Sequence, residues 1–431
     1  MAETSTRRLV LLASKLGYQT RSFAEAARRL GVEVIIGSDR CHQLDDPWSD
    51  GAVALHFEQP EQAAASLADA LGTRLAHGIL ALGDRQISTA ALVAAARGLR
   101  YNSPESVNHC RSKLRQREVL RGAGLPVPDF CSFAIDEALD AVLPRVSFPC
   151  VIKPLRLSAS QGVIRANNPT EFAAAVERVV RVLESAEVQA TREPELNRIL
   201  VERYIPGAEV ALEGLLDKGR LRVLALFDKP DPLVGPYFEE TIYVTPSRLP
   251  AEMQQRIFAC ASDTVRALGL TDGPLHAEFR VNEQGPWILE ASPRPIGGMC
   301  ARALRFGPGR MFLEELLVRH TMGLADTELP REPLAAGVMM IPVPATGILQ
   351  EVGGVKQAEA TPGVDEVHIT ARLHDPIAAW PEGSSYLGFI FARGEQPENV
   401  LSALRGAHAR LRFTIVPRLP VSHPVTGQTS V

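Results

Sequence analysis

No stretch of the 431-residue sequence approaches the roughly 20 uninterrupted apolar residues that span a bilayer. The apolar start RRLVLLA (7–13) gives way at once to Ser14 and Lys15, with no small-residue cleavage site, and reads as a first strand rather than a signal peptide. Cysteine is sparse. The six, at 41, 110, 131, 150, 260 and 300, form no C-x-x-C pair and none stands at zinc spacing from a histidine, which points to reduced thiols and a cytoplasmic setting. Neither sign of charge dominates: 46 Lys and Arg face 50 Asp and Glu, so the strongly basic face expected of a nucleic-acid binder is missing. Two glycine motifs are also missing, G-x-x-x-x-G-K-[ST] and G-x-G-x-x-G, which removes the P-loop and the usual dinucleotide turn. The remainder, 45% hydrophobic and 22% charged, is the composition of an ordinary folded soluble protein of about three domains at roughly 150 residues each.

The first hundred residues alternate between two periods. RRLVLLA reads as a strand, SFAEAARRLG (22–31) as a helix with Ser22 as N-cap and Gly31 as stop, and VEVIIG (32–37) as a second strand. Asp39 then stands where a dinucleotide domain keeps its ribose-binding acid, without the glycine turn that such a site needs. HGILAL (77–82) and DRQISTAALVAAARGL (84–99) add a strand and a helix. Beyond these, 105–121 reads as one helix, FPCVIKPL (148–155) as a buried strand, and about 170–187 as a helix. Three strand-like runs fill 198–228, and a helix covers about 251–268. A third region, about 335–416, mixes strands with one clear helix at 397–411, and the last dozen residues look like a frayed tail.

Chemistry concentrates in PLHAEFRVNEQGPWILEASPRP (274–295), which reads as a hairpin. With a three-residue loop 283–285, Asn282 closes against Pro286 and Glu278 falls opposite Glu290 on one face. Carboxylates about 5 Å apart repel unless a cation lies between them, and paired acids completed by phosphate oxygens are a usual Mg²⁺ site. The plainer alternative is two solvated acids on a strand pair, and one more loop residue would put them on opposite faces. The Pro- and Gly-rich exit through Arg294, Gly297 and Gly298 sets an arginine and free backbone N–H groups beside the acids, the makings of an anion site. Lys153 ends an apolar strand ahead of the loop Ser158-Ala159-Ser160-Gln161-Gly162, a candidate phosphate cover or an ordinary turn. Lys113 on its helix, and Lys229, Glu239 and Glu240 near strand ends, either line a cleft or sit on the surface. His276 and His320 read as structural, and no histidine has nucleophile spacing to Cys or Ser.

In order along the chain, RSKLRQREVLRGAGLPVPDF (111–130), PCVIKPLRLSASQGV, ILVERYIPGAEVALEG and HAEFRV…WILEASPRPIGG resemble the ATP-grasp superfamily over about residues 1–320. GVMMIPVPATGILQEVGGV, EATPGVDEV and GSSYLGFIFARGEQPENVLSALRGAHARL resemble the C-terminal domain of L-amino acid ligases. The resemblance implies an α/β and α+β multidomain fold. It divides into an N-terminal Rossmann-like domain (1–104), an ATP-grasp domain (105–321, lid about 140–205), a C-terminal α+β domain (322–416) and a tail (417–431). It implies an ATP-dependent carboxylate–amine ligase working through an acyl phosphate, with ATP and Mg²⁺ (or Mn²⁺), small carboxylate and amine substrates, and a homodimer as related enzymes often form. Lys113 and Lys153 would hold nucleotide phosphates with Ser158, Ser160 and Gly162 as cover. Glu202, Tyr204 and Ile205 would meet adenine, and Glu209 the ribose. Glu278 and Glu290 would hold the metal, with Ser292 standing where the family usually has Asn. Arg294 would steady the acyl phosphate. Glu240 would take a substrate ammonium group, with Lys229, Gly297 and Gly298 at the substrate, and Gly298 leaving room for a side chain larger than alanine. Two other readings stay open, a carboxylase or purine-pathway ligase of the same superfamily and a non-catalytic nucleotide sensor.

Overall fold

The computed structural model describes residues 7–14, 17–39, 52–324, 328–418, 421–422 and 429–430. Cys41 and most of the expected tail lie outside these residues. No helix among them is long and apolar enough to cross a membrane.

Strands that are apolar on both faces pair in parallel and are covered on both sides. The N-terminal sheet follows that rule, with parallel strands in the order Ala52–Ala54, Glu33–Ser38, Arg8–Leu12, Gly78–Ala81. Its first helix begins at Tyr18, with Gly17 as N-cap. Ser22 is therefore an interior residue and not the cap, and its hydroxyl donates to Glu314 at 2.9 Å. The Asp39 carboxylate pairs with Arg85.

The 105–121 helix is two helices, Pro104–Arg111 and Lys113–Gly122, broken at an extended Ser112. The Lys113 N–H donates to Leu155 O at 3.0 Å instead of to its own helix. The break thus puts Lys113 at the first turn of the second helix, facing the next domain.

The lid is an antiparallel sheet, Phe130–Ala134, Arg198–Arg203, Cys150–Pro154, Ile164–Ala166, with the helix Pro169–Glu184 on one face. It therefore starts about ten residues earlier than the sequence suggests. The three strand-like runs at 198–228 divide between two sheets, because Pro206-Gly207 separates the lid strand from the central strands Ala208–Asp217 and Arg220–Lys229.

The central sheet has eight strands. In spatial order they are Gly285–Ser292, Gly273–Asn282, Ala208–Asp217, Arg220–Lys229, Ile242–Thr245, Ala335–Ile341, Gly388–Gly394 and Val364–Ile369. The last three belong to the C-terminal region, so the sheet runs straight through the expected boundary at 321/322. Only the smaller sheet Pro376–Ile377, Gly347–Gly353, Arg412–Val416 belongs to that region alone. The N-terminal sheet is equally continuous with the centre, since Val10, Leu12 and Ile79 share one core with Val210, Leu212 and Phe279.

Candidate active site

The hairpin register confirms Glu278 opposite Glu290 by a different route. The turn has two residues, with Asn282 paired to Gly285 at φ 125°. That register alone would place Leu289 opposite Glu278. A bulge between Phe279 and Glu278 absorbs Leu289 and restores the acid pair. The turn and the bulge each shift the register by one residue, and the shifts cancel.

Both glutamates line a cavity of about 940 Å³ between all parts of the molecule. Lys113, Lys153, Ser158, Ser160, Glu202, Tyr204, Ile205, Glu209, Glu240, Arg294, Gly297 and Gly298 line it too. Gly162, Lys229 and Ser292 do not. Gly162 is turned to the C-terminal region, its N–H donating to Pro381 O at 3.1 Å. Ser292 is buried, with its hydroxyl donating to Asp84 at 2.9 Å.

Lys229 is the larger departure. Its ammonium lies among Glu209, Glu240 and Glu278 at 2.7, 2.5 and 3.0 Å, buried beneath the cavity floor. The oxygens of these three acids lie within 4.8 Å of one another, a spacing that suits a metal ion. The lysine supplies the cation instead, and although burial opposes its charge, the three carboxylates raise its pKa well above the usual value. Glu209 also holds Arg280 at 2.8 Å. Glu240 accepts from the Tyr243 hydroxyl at 2.5 Å, and burial together with Glu278 pushes its carboxyl up to about 7. Glu278 stays ionised, since burial is outweighed by Lys229 and His276.

Glu202 is gripped from both sides, by Arg117 at 2.6 Å and by Lys153 at 2.5 Å. Burial alone would raise its pKa; the two cations bring it down to about 2. Arg117 is fully buried on the Lys113–Gly122 helix and was missed, because KLRQREVLRG reads as a solvated charged surface. Gln116 on the same helix exchanges two hydrogen bonds with the Ala291 backbone, at 2.7 and 3.0 Å, tying the helix to the hairpin's end.

Two further cavity residues were missed or misjudged. Asp84, following the strand Gly78–Ala81, grips Arg294 in a fork, Nε to Oδ1 at 3.0 Å and Nη2 to Oδ2 at 3.1 Å. Arg294 outweighs burial and depresses the Asp84 pKa. No local pattern marks Asp84, since its partner is 210 residues away. His276 is buried between two carboxylates. It lines the cavity, with Nδ1 2.5 Å from Glu213 and Nε2 3.4 Å from Glu278. Burial opposes its charge, but Glu213 carries its pKa up to about 9.

The glycines correct one expectation. Gly298 has φ +64°, and a Cβ there would meet the Phe389 ring at 3.0 Å, so its space is already filled. A Cβ on Gly297 would meet nothing within 4 Å. The room on this wall is at 297.

Comparison with known proteins bears on the family and the fold. A family model for the ATP-grasp domain matches residues 146–303, and one for the L-amino acid ligase C-terminal domain 2 matches 339–416. Protein y4rH of Sinorhizobium fredii is 24% identical over 95% of this chain and 84% of its own length. A D-alanine–D-alanine ligase of Aromatoleum aromaticum is 30% identical over 44% of this chain, which spans 58% of that enzyme. The crystal structure of an L-amino acid ligase from Bacillus licheniformis superposes with a TM-score of 0.81 at 25% identity, covering 96% of this chain and 99% of that one. Central domain, C-terminal domain and whole-chain fold thus lead to one assignment: the chain belongs to the ATP-grasp carboxylate–amine ligases related to the L-amino acid ligases.

Proposed function

We propose that this ligase activates the carboxylate of one amino acid with ATP and joins it to the amine of a second. A carboxylate oxygen attacks the γ-phosphorus, the bond to the bridging oxygen of ADP breaks, and an acyl phosphate results. The amine nitrogen then attacks the acyl carbon, the C–O bond to phosphate breaks, and the amine loses a proton as phosphate leaves. The observation that carries this reading is the opening of the Glu278–Glu290 pair, Lys113, Lys153 and Arg294 into one cavity.

In this reading Lys113 and Lys153 exchange Glu290 and Glu202 for nucleotide phosphates, and Glu202, Tyr204 and Ile205 meet the base. Glu278 and Glu290 would hold Mg²⁺; their hard oxygens suit it, and Glu290 is loosely committed, 3.4 Å from Lys113. The ion would neutralise phosphate charge as it is transferred. Arg294, aimed by Asp84, stabilises the charge that builds on the acyl phosphate and its adduct. Under the lid, water is kept from the acyl phosphate.

ADP release measured over a matrix of amino acids and small acids, with product masses, tests the proposal. Release that needs two amino acids and yields their condensation product supports it; release that needs bicarbonate or biotin replaces it with a carboxylase. Glu290→Gln is expected to abolish Mg²⁺-dependent release, and a retained rate would remove Glu290 from the metal site.

A further inference from the structure

Eight lysines and arginines line the cavity. Lys113, Lys153 and Arg294 are paired as described. Arg85 is held by Glu193, Arg156 by Glu195 and Arg280 by Glu209, while Arg203 faces Asp129 at 3.7 Å. The eighth is Arg372, which is exposed. Among the described residues no carboxylate lies within 4.0 Å of its guanidinium. Asp375 shares the wall, but its contact with Arg372 is a backbone one, N–H to carbonyl at 3.4 Å.

The fold brings hydroxyls to the same wall. Thr370 and Ala371 donate their N–H groups to Leu387 O at 3.0 and 3.1 Å, which joins the segment leading into Arg372 to the one ending in Ser384, Ser385 and Tyr386. Thr370, Ala371, Arg372, Ser384, Ser385 and Tyr386 all line the cavity. The Tyr386 ring lies 4.9 Å from Trp380 and 6.4 Å from Phe389, so this wall is packed rather than a free loop. Glu240 lines the same cavity as this wall.

A guanidinium with no carboxylate partner among the described residues, on a cavity wall shared with hydroxyl donors, is a site for a carboxylate. Resting on the ligase reading above, we infer that Arg372, with Ser384 and Ser385, holds the carboxylate of the amine substrate. The acceptor is then selected as an amino acid and not as a plain amine. An acceptor whose acid is a carboxamide leaves Arg372 without its partner and binds more weakly.

The experiment offers each acceptor as the free L-amino acid and as its carboxamide, to the wild type, Arg372→Ala and Arg372→Lys, at fixed ATP and first substrate. Arg372→Ala is expected to raise KM for the free acid about tenfold or more, with a smaller change in kcat, and to erase the preference over the carboxamide. Arg372→Lys restores part of it. An unchanged preference in Arg372→Ala overturns the inference. A second readout does not need turnover: phenylglyoxal modification of Arg372, followed by peptide mass, in the presence of Mg-ADP and each amino acid or carboxamide. Protection by free acids alone supports the site, and equal labelling throughout overturns it. If no amino acid pair releases ADP, the ligase reading fails, and the labelling result still decides the fate of Arg372.

Discussion

At Arg294 two carboxylate oxygens of Asp84 meet two guanidinium nitrogens at 3.0 and 3.1 Å, a bidentate pairing that orients the guanidinium. Such a donor needs no reorganisation when charge builds in the transition state. Arg294→Ala is therefore expected to lower kcat about a hundredfold or more, the cost of roughly 3 kcal/mol for one preorganised donor, read from ADP release under saturating substrates. Arg294→Lys should recover little, because an ammonium cannot reproduce the fork. The glycine wall gives a second expectation. Gly297→Leu should weaken large first substrates and spare small ones, seen as a change in KM order across an amino acid panel; an unchanged order would mean that the space beside Gly297 holds no substrate. The shared placement of Glu278, Glu290 and Arg294 was legible because they cluster within seventeen residues on a recognisable hairpin. Asp84, Arg117 and Glu213 were not, since each acts on a charge far away in the chain.

The sheet and helix over 130–203, the expected lid, are tied to the C-terminal region. The Trp380 indole N–H donates to Ala159 O at 3.1 Å, Gly162 N–H to Pro381 O at 3.1 Å and the Gln161 amide to Glu382 O at 2.9 Å. Arg178 on the lid helix forks onto Glu382 at 2.6 and 3.0 Å. The loop 158–162 is thus gripped from outside, with Ala159 and Ser160 at φ 55° and 53°. Arg178→Ala should loosen the lid by about 1 kcal/mol, the upper end for a pair exposed to solvent, and raise KM for ATP several-fold with a smaller loss of kcat. An unchanged KM would show that the grip adds nothing to nucleotide binding. At this scale strand and helix identities were readable from period and capping, whereas the break at Ser112 was not. It is set by the Lys113 N–H reaching Leu155, a contact 42 residues along the chain.

Across the whole molecule, buried charges tie stability to pH in two opposite senses. Glu202 has its pKa depressed to about 2 from the ordinary 4.5, so its contribution is present above 4.5 and is lost as pH falls through about 2. His276 is raised to about 9 from 6.5, so its contribution is present below 6.5 and is lost as pH rises through about 9. Each is worth about 3 kcal/mol at most. Urea midpoints followed from pH 2.5 to 9.5 should fall at both ends, with Glu202→Gln flattening the acid limb and His276→Gln the alkaline one. By itself the sequence determined the local periods, the order of the motifs and hence the superfamily, because each depends on neighbours within one element. Only the tertiary structure decided which charges are spent on one another: that Lys229 fills its own glutamate cluster, that Asp84 aims Arg294, and that Arg372 meets no carboxylate among the described residues. Those pairings depend on which strands lie side by side, and a sheet that continues from the hairpin into the C-terminal region brings together residues that no local pattern connects.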